Sequence, residues 1–181
     1  MRTAVLTLLP LDVDRDAATL HRWVTHPKAV YWEMGEASLE DVAEAYRAIG
    51  RDPHHEAHLG LAGDEPAFLV ERYDPAHSEL AGHGDWGPGD VGMHVLVAPT
   101  DRPVPGFTRE VFATVMEHLF ADLSVDRVVV EPDVRNDRIA RLNAEAGFVV
   151  HRHVQLSKKT AALSSCTRDQ YQRSSLGRSR P

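Results

Sequence analysis

The stretch from Asp90 to Phe148 constrains this fold more than any other part of the chain. Residues 90–98, "DVGMHVLVA", and 127–131, "RVVVE", are short β-branched strands, and Val111, Phe112, Val115, Met116, Leu119 and Phe120 recur between them at helical spacing. That stripe predicts an amphipathic helix over 107–122. A strand, a crossover helix and a second strand joined by short loops pack back right-handed, so the two strands run parallel.

The remaining segments are assigned around this unit. Residues 3–9, "TAVLTLL", read as a strand stopped by Pro10, and Asp14–Val24 as a helix with Ala17, Leu20 and Val24 on one face. Residues 26–37 lack a period and read as an ordered loop. Ser38 opens a second helix with a capping-box-like Ser-x-x-Asp to Asp41, and Gly50 closes it. Strands at 57–62 and 66–72 flank Gly63-Asp64-Glu65, a hairpin turn, and are therefore antiparallel. After residue 131 a helix over 136–146 starts at Asn136 and ends before Gly147, and 148–156 alternates as a last strand. The expected fold is α/β: one domain over residues 1–159, a mixed sheet with antiparallel N-terminal strands, a parallel βαβ centre and helices on both faces. Residues 160–181 are rich in Ser, Thr, Gln and Arg and poor in apolar side chains, so a disordered basic tail is expected there.

Charge narrows the partners. Four Arg against Asp169 put +3 on residues 160–181, so the −7 of the 181-residue chain becomes −10 on residues 1–159. An acidic body repels nucleic acid and favours cationic small molecules. Cys166 is the single cysteine, which fits a reducing compartment. No apolar run approaches the roughly 20 residues that cross a bilayer, and the N-terminus lacks a signal-peptide pattern. A soluble, cytoplasmic protein without membrane or nucleic-acid partners is expected.

Ligands of open α/β sheets gather at the carboxyl ends of strands. Two such ends carry chemistry here. After strand 90–98, Gly106, Phe107 and Thr108 open a helix whose backbone amides suit an anion such as a phosphate, although Pro103, Pro105 and Gly106 also suit a plain turn. After strand 127–131, "EPDVRN" places Asp133 at the joint to the next helix, beside the strand that carries His94. An acid and an imidazole then converge, the alternatives being a half-buried histidine and an aspartate that bonds its own turn. Asn136 reads first as a helix cap. His54-His55-x-x-His58 and His151-x-His153 have metal-like spacing without a cysteine or a fourth ligand, so no metal is expected.

The segments "HPKAVYW" (26–32), "GMHVLVAP" (92–99), "PGFTREV" (105–111) and "DRVVVEPDVRNDRIARLNAEAGF" (126–148) resemble the GCN5-related N-acetyltransferase superfamily. The likeness spans about residues 20–155. Within that superfamily they are most similar to the acyltransferases of hydroxamate siderophore biosynthesis. The resemblance implies acyl-coenzyme A, acetyl or succinyl, as co-substrate and a small hydroxylamine as acceptor: N-hydroxycadaverine, N-hydroxylysine or N-hydroxyornithine. It implies that Val95, Leu96 and Val97 present backbone amides to the acyl donor, that Gly106, Phe107 and Thr108 border its pyrophosphate, and that Asn136 lies near the pantetheine. It further implies that His94 and Asp133 face the reacting groups and that Trp32 and Trp86 border the acceptor. One departure is plain: Arg102-Pro-Val-Pro-Gly106-Phe-Thr108 is longer and bulkier than the family's (Gln/Arg)-x-x-Gly-x-(Gly/Ala) loop. An N-acetyltransferase of an ordinary amine, such as an antibiotic or a protein N-terminus, and a coenzyme A-binding module without catalysis are the competing readings.

Overall fold

The computed structural model describes residues 5–179; Thr3 and Ala4 of the expected first strand, and Arg180 and Pro181, lie outside this range. In chain order the elements are β1 (Leu6–Pro10), α1 (Val13–Val24), a 3-10 segment (Pro27–Trp32), α2 (Leu39–Arg51), β2 (His55–Ala62), β3 (Glu65–Tyr73), β4 (Asp90–Val97), α3 (Phe107–Ala121), β5 (Arg127–Val130), α4 (Asp137–Glu145), β6 (Val149–Gln155), β7 (Thr160–Thr167) and α5 (Arg168–Arg173). The strands form one mixed sheet in the order β1-β2-β3-β4-β5-β7-β6. β1 and β2 are antiparallel. β4 and β5 run parallel, as the crossover through α3 requires, with Asp90, Val91 and Gly92 opposite Arg127, Val128 and Val129.

The described residues gather into two compact units, residues 5–72 with 94–111, and residues 73–93 with 112–179. In the first, α1 and α2 lay their apolar stripes on the sheet. Leu20, Trp23, Val24, Val42 and Tyr46 meet Leu59 of β2 and Leu69 of β3, and Leu96 of β4 packs at the margin. Both helices begin as their sequences dictate. Asp12 accepts the amides of Asp14 and Arg15, and Ser38 with Asp41 forms a reciprocal capping box.

In the second unit Tyr73, Leu80, Val129, Val154, Leu156, Ala161 and Leu163 form the buried cluster, with Trp86 against it. Gly92 belongs here for a steric reason. A Cβ on it would lie 2.1 Å from the Tyr73 ring, whose hydroxyl donates to Glu131. Any larger residue displaces that ring.

The segment from Thr160 is where expectation fails. It is no disordered tail: β7 inserts between β5 and β6 and pairs antiparallel with both. Ala161, Leu163, Ser164, Ser165 and Cys166 are buried, and the Ser164 hydroxyl donates to the Ala162 carbonyl. A ladder with neighbours on both sides satisfies the backbone, so small side chains suffice to fill the space. Thr167 and Gln170 then form a capping box that starts α5, and Tyr171 and Leu176 are buried beyond it. No helix among the described residues is long and apolar enough to cross a membrane.

Truncation after Lys159 strips the β7 partner from β5 and β6 together. Urea unfolding followed by circular dichroism should show the truncated chain without the cooperative transition of the full-length protein.

Candidate active site

In the first unit the chemistry centres on Glu71, the seventh residue of β3. Strand alternation puts it on the same face as Ala67 and Leu69, toward the cluster under α1 and α2, and it is 7% exposed. Its Oε1 accepts from the Tyr46 hydroxyl at 2.9 Å. Its Oε2 lies 3.0 Å from His94 Nδ1 and 3.4 Å from His55 Nε2. Burial alone raises this carboxyl, but hydrogen bonds from the two imidazoles outweigh it and leave it lowered to about 2. Burial, followed by the Glu71 charge, drives Tyr46 well above its usual value, so the phenol keeps its proton. Trp32 Nε1 donates to the Tyr46 hydroxyl at 3.2 Å, and the Trp32 ring stands edge-on to His94 with centroids 6.1 Å apart. Two residues singled out in the sequence, His94 and Trp32, therefore meet. Glu71, Tyr46 and His55, which join them, were not anticipated.

Asp133 belongs to the second unit. The Arg135 backbone amide and Nε both donate to Asp133 Oδ1, at 2.8 and 2.9 Å, and Nη2 donates to Oδ2 at 2.6 Å. The guanidinium hydrogen bonds, working against a smaller rise from burial, lower the Asp133 carboxyl to about 2. Asp133 thus bonds its own turn and stays ionised. Asn136 caps α4 by accepting from the Ile139 amide at 3.3 Å. Glu131, just past the end of β5, is buried, with Tyr73 donating to it and Lys159 at 3.9 Å.

Trp86 covers the second unit's core. Its Nε1 donates to the Leu80 carbonyl at 2.7 Å, and the Arg127 guanidinium sits 5.8 Å from its ring centre. It also borders a pocket of about 150 Å³ floored by Val129, Leu163, Ser164 and Ser165. Cys166, expected in the tail, is buried in β7, and burial pushes its thiol up to about 12. A thiol in that state is no nucleophile near neutral pH.

The start of α3 is open and turns at Gly106. Gly106 adopts φ +83, open to glycine and strained for other residues, and nothing lies within 4 Å of where its Cβ would stand. The Phe107 amide closes a turn on the Val104 carbonyl, and a 15-residue helix follows. Gly106 is exposed, and Thr108 with it. Val95, Leu96 and Val97 of β4 are half-buried.

The fold, with a long helix after the central strand and an Asn-capped helix before Gly147 and Phe148, is an acyltransferase fold. Residues 12–156 match the family described as "Acetyltransferase (GNAT) domain", and the chain belongs to that family of acyl-coenzyme A-dependent transferases, which need no metal. Among curated relatives, it is similar to the N-hydroxyputrescine acetyltransferase of Acinetobacter baumannii, 26% identical over 158 residues, spanning 87% of this chain and 75% of that one. It is also similar to the N(6)-hydroxylysine O-acetyltransferase of Escherichia coli, 27% identical over 139 residues, spanning 76% of this chain but 44% of the relative. Of solved structures, AAC(6')-Ib in complex with ribostamycin and coenzyme A shares the fold, with TM-score 0.81, 23% identity and coverage of 93% and 96% of the two chains.

The Glu71 carboxyl makes stability depend on acid. Its folded value of about 2 lies below the ordinary glutamate value, so the contribution is complete above about pH 4.5 and disappears as the pH falls toward 2. The shift corresponds to about 3 kcal/mol at most. Urea unfolding of the native protein and of Glu71→Gln should therefore differ in pH slope between pH 5 and 3, with the variant losing less stability on acidification.

Proposed function

We propose that the protein is an acyl-coenzyme A-dependent N-acyltransferase that converts an N-hydroxylated amine to a hydroxamate in siderophore biosynthesis. The acceptor is N-hydroxycadaverine, N-hydroxylysine or N-hydroxyornithine. The observation that carries this reading is His94, its Nδ1 against ionised Glu71 and its ring beside the Trp32 indole. An oriented imidazole next to an apolar surface suits a weakly basic nucleophile on a hydrocarbon chain. The names of the two relatives point to hydroxylated amines as well.

An alkylamine with a pKa of about 10.4 arrives as the ammonium and must shed a proton before it attacks. A hydroxylamine is far less basic and arrives neutral. His94 need only take the N–H proton as the C–N bond forms, a transfer suited to an imidazole. The C–S bond then breaks, and the imidazolium of His94 would return its proton to the departing sulfur. The co-substrate supplies the thioester carbonyl. Backbone amides of Val95, Leu96 and Val97 would polarise it, and Gly106, Phe107 and Thr108 would hold the rest of the donor. With Cys166 protonated, acyl transfer is direct in a ternary complex.

Two measurements test this reading. His94→Ala should fold normally and lose roughly 100-fold or more of its rate of hydroxamate formation; an unchanged rate removes His94 from the chemistry. Replacing N-hydroxycadaverine, N-hydroxylysine and N-hydroxyornithine by their parent amines at pH 7, with acetyl- and succinyl-coenzyme A as donors, should abolish most turnover. Equal rates would make the enzyme an ordinary amine acetyltransferase, and donor binding without turnover of any amine would leave only a binding module.

A further inference from the structure

The carboxylate that holds His94 lies in an apolar strand run. Glu71 follows Ala67, Phe68, Leu69 and Val70 in β3, all of them buried. Its two oxygens collect side chains from three other elements: Tyr46 of α2, His55 of β2 and His94 of β4. An ionised carboxylate accepts hydrogen bonds and donates none. At 3.0 Å from Glu71 Oε2, His94 Nδ1 must therefore carry a hydrogen. In the neutral ring the lone pair then sits at Nε2.

We propose that Glu71 is the positioning residue of His94: it fixes the Nδ1–H tautomer, turns Nε2 to the attacking nitrogen and stabilises the imidazolium that forms there. This rests on the reading of His94 as the base. Asp133 is the other carboxylate available for such a part, and both its oxygens are taken up by Arg135. Glu71 is itself fixed from behind. Tyr46 holds Oε1, and Trp32 Nε1 holds the Tyr46 oxygen, so the indole beside His94 hangs from the same carboxylate as His94 does. The titratable groups around the imidazole in this network are Glu71, His55 and Tyr46. Tyr46 stays neutral, and His55 shares the Glu71 oxygen that His94 uses.

Histidine-directed 15N NMR of the full chain between pH 4.5 and 9, with His94 assigned by the His94→Ala spectrum, tests the proposal apart from catalysis. The native protein should show His94 as the Nδ1–H tautomer. Glu71→Gln should lower the His94 titration midpoint by about one unit, since an adjacent negative charge favours the imidazolium by at least that much. Its kcat for hydroxamate formation should fall roughly 10- to 100-fold with the KM for acyl-coenzyme A unmoved, and Glu71→Asp should keep the midpoint near the native value. An Nε2–H tautomer in the native protein, or a Glu71→Gln midpoint equal to the native one, overturns the proposal. The native tautomer is readable even if Glu71→Gln does not fold. If His94→Ala keeps full activity, the base assignment fails instead, and the tautomer and midpoint still report on Glu71.

Discussion

Burying an ionised carboxylate costs several kcal/mol unless donors replace the water it loses. That requirement, imposed by Glu71 in the middle of β3, disciplines much of the first unit. Tyr46 has to come from α2, His55 from β2 and His94 from β4, each at a fixed height along its own element. The apolar packing of Leu20, Val42, Leu59 and Leu69 tolerates small slides; a buried carboxylate held by two hydrogen bonds and an ion-pair contact does not. The polar network therefore specifies which of many similar apolar packings is adopted.

The same network selects the chemistry. Glu71 and Asp133 both sit near 2 for different reasons, imidazole donors in one case and a guanidinium in the other. Neither exchanges a proton near neutral pH. Tyr46 and Cys166 lie on the other side of neutrality, held there by burial. Of the groups on which the proposed reaction draws, an imidazole alone has its ordinary range close to the working pH. In the proposed reaction such a base suits a nucleophile that arrives neutral.

The parts of the fold legible in the sequence were those with a period. The α3 stripe appears as Phe107–Ala121 against an expected 107–122, and the hairpin strands, expected at 57–62 and 66–72, appear as His55–Ala62 and Glu65–Tyr73. β7 was hidden because "TAALSSCT" has one large apolar residue and serines that are buried as neighbours in a ladder, not as core filler. A signal was nevertheless present: Thr167-x-x-Gln170 has the capping-box spacing that opens a helix inside the supposed tail. In the candidate site, His94 and Trp32 had been singled out by position in a motif. Glu71 was missed because a lone glutamate in "PAFLVERY" reads as a strand-end charge, although its parity with Ala67 and Leu69 already put it on the core face.

The C-terminal strand and the Asp133 turn are one construction. The Val134 amide donates to the Thr160 carbonyl at 3.0 Å and the Ala162 amide donates to the Pro132 carbonyl at 2.9 Å, so β7 brackets the turn on either side of Asp133. Asp133 itself bridges Ala161. Lys159, immediately before the strand, lies 3.9 Å from Glu131. A proline followed by an aspartate and an arginine can pair locally in many conformations; two backbone hydrogen bonds to a strand fixed in mid-sheet leave it one. Residues 160–162, which contribute no reactive group, thus determine where an ionised carboxylate stands. Sequence motifs that end at Phe148 omit the part of the chain that aims their own acid.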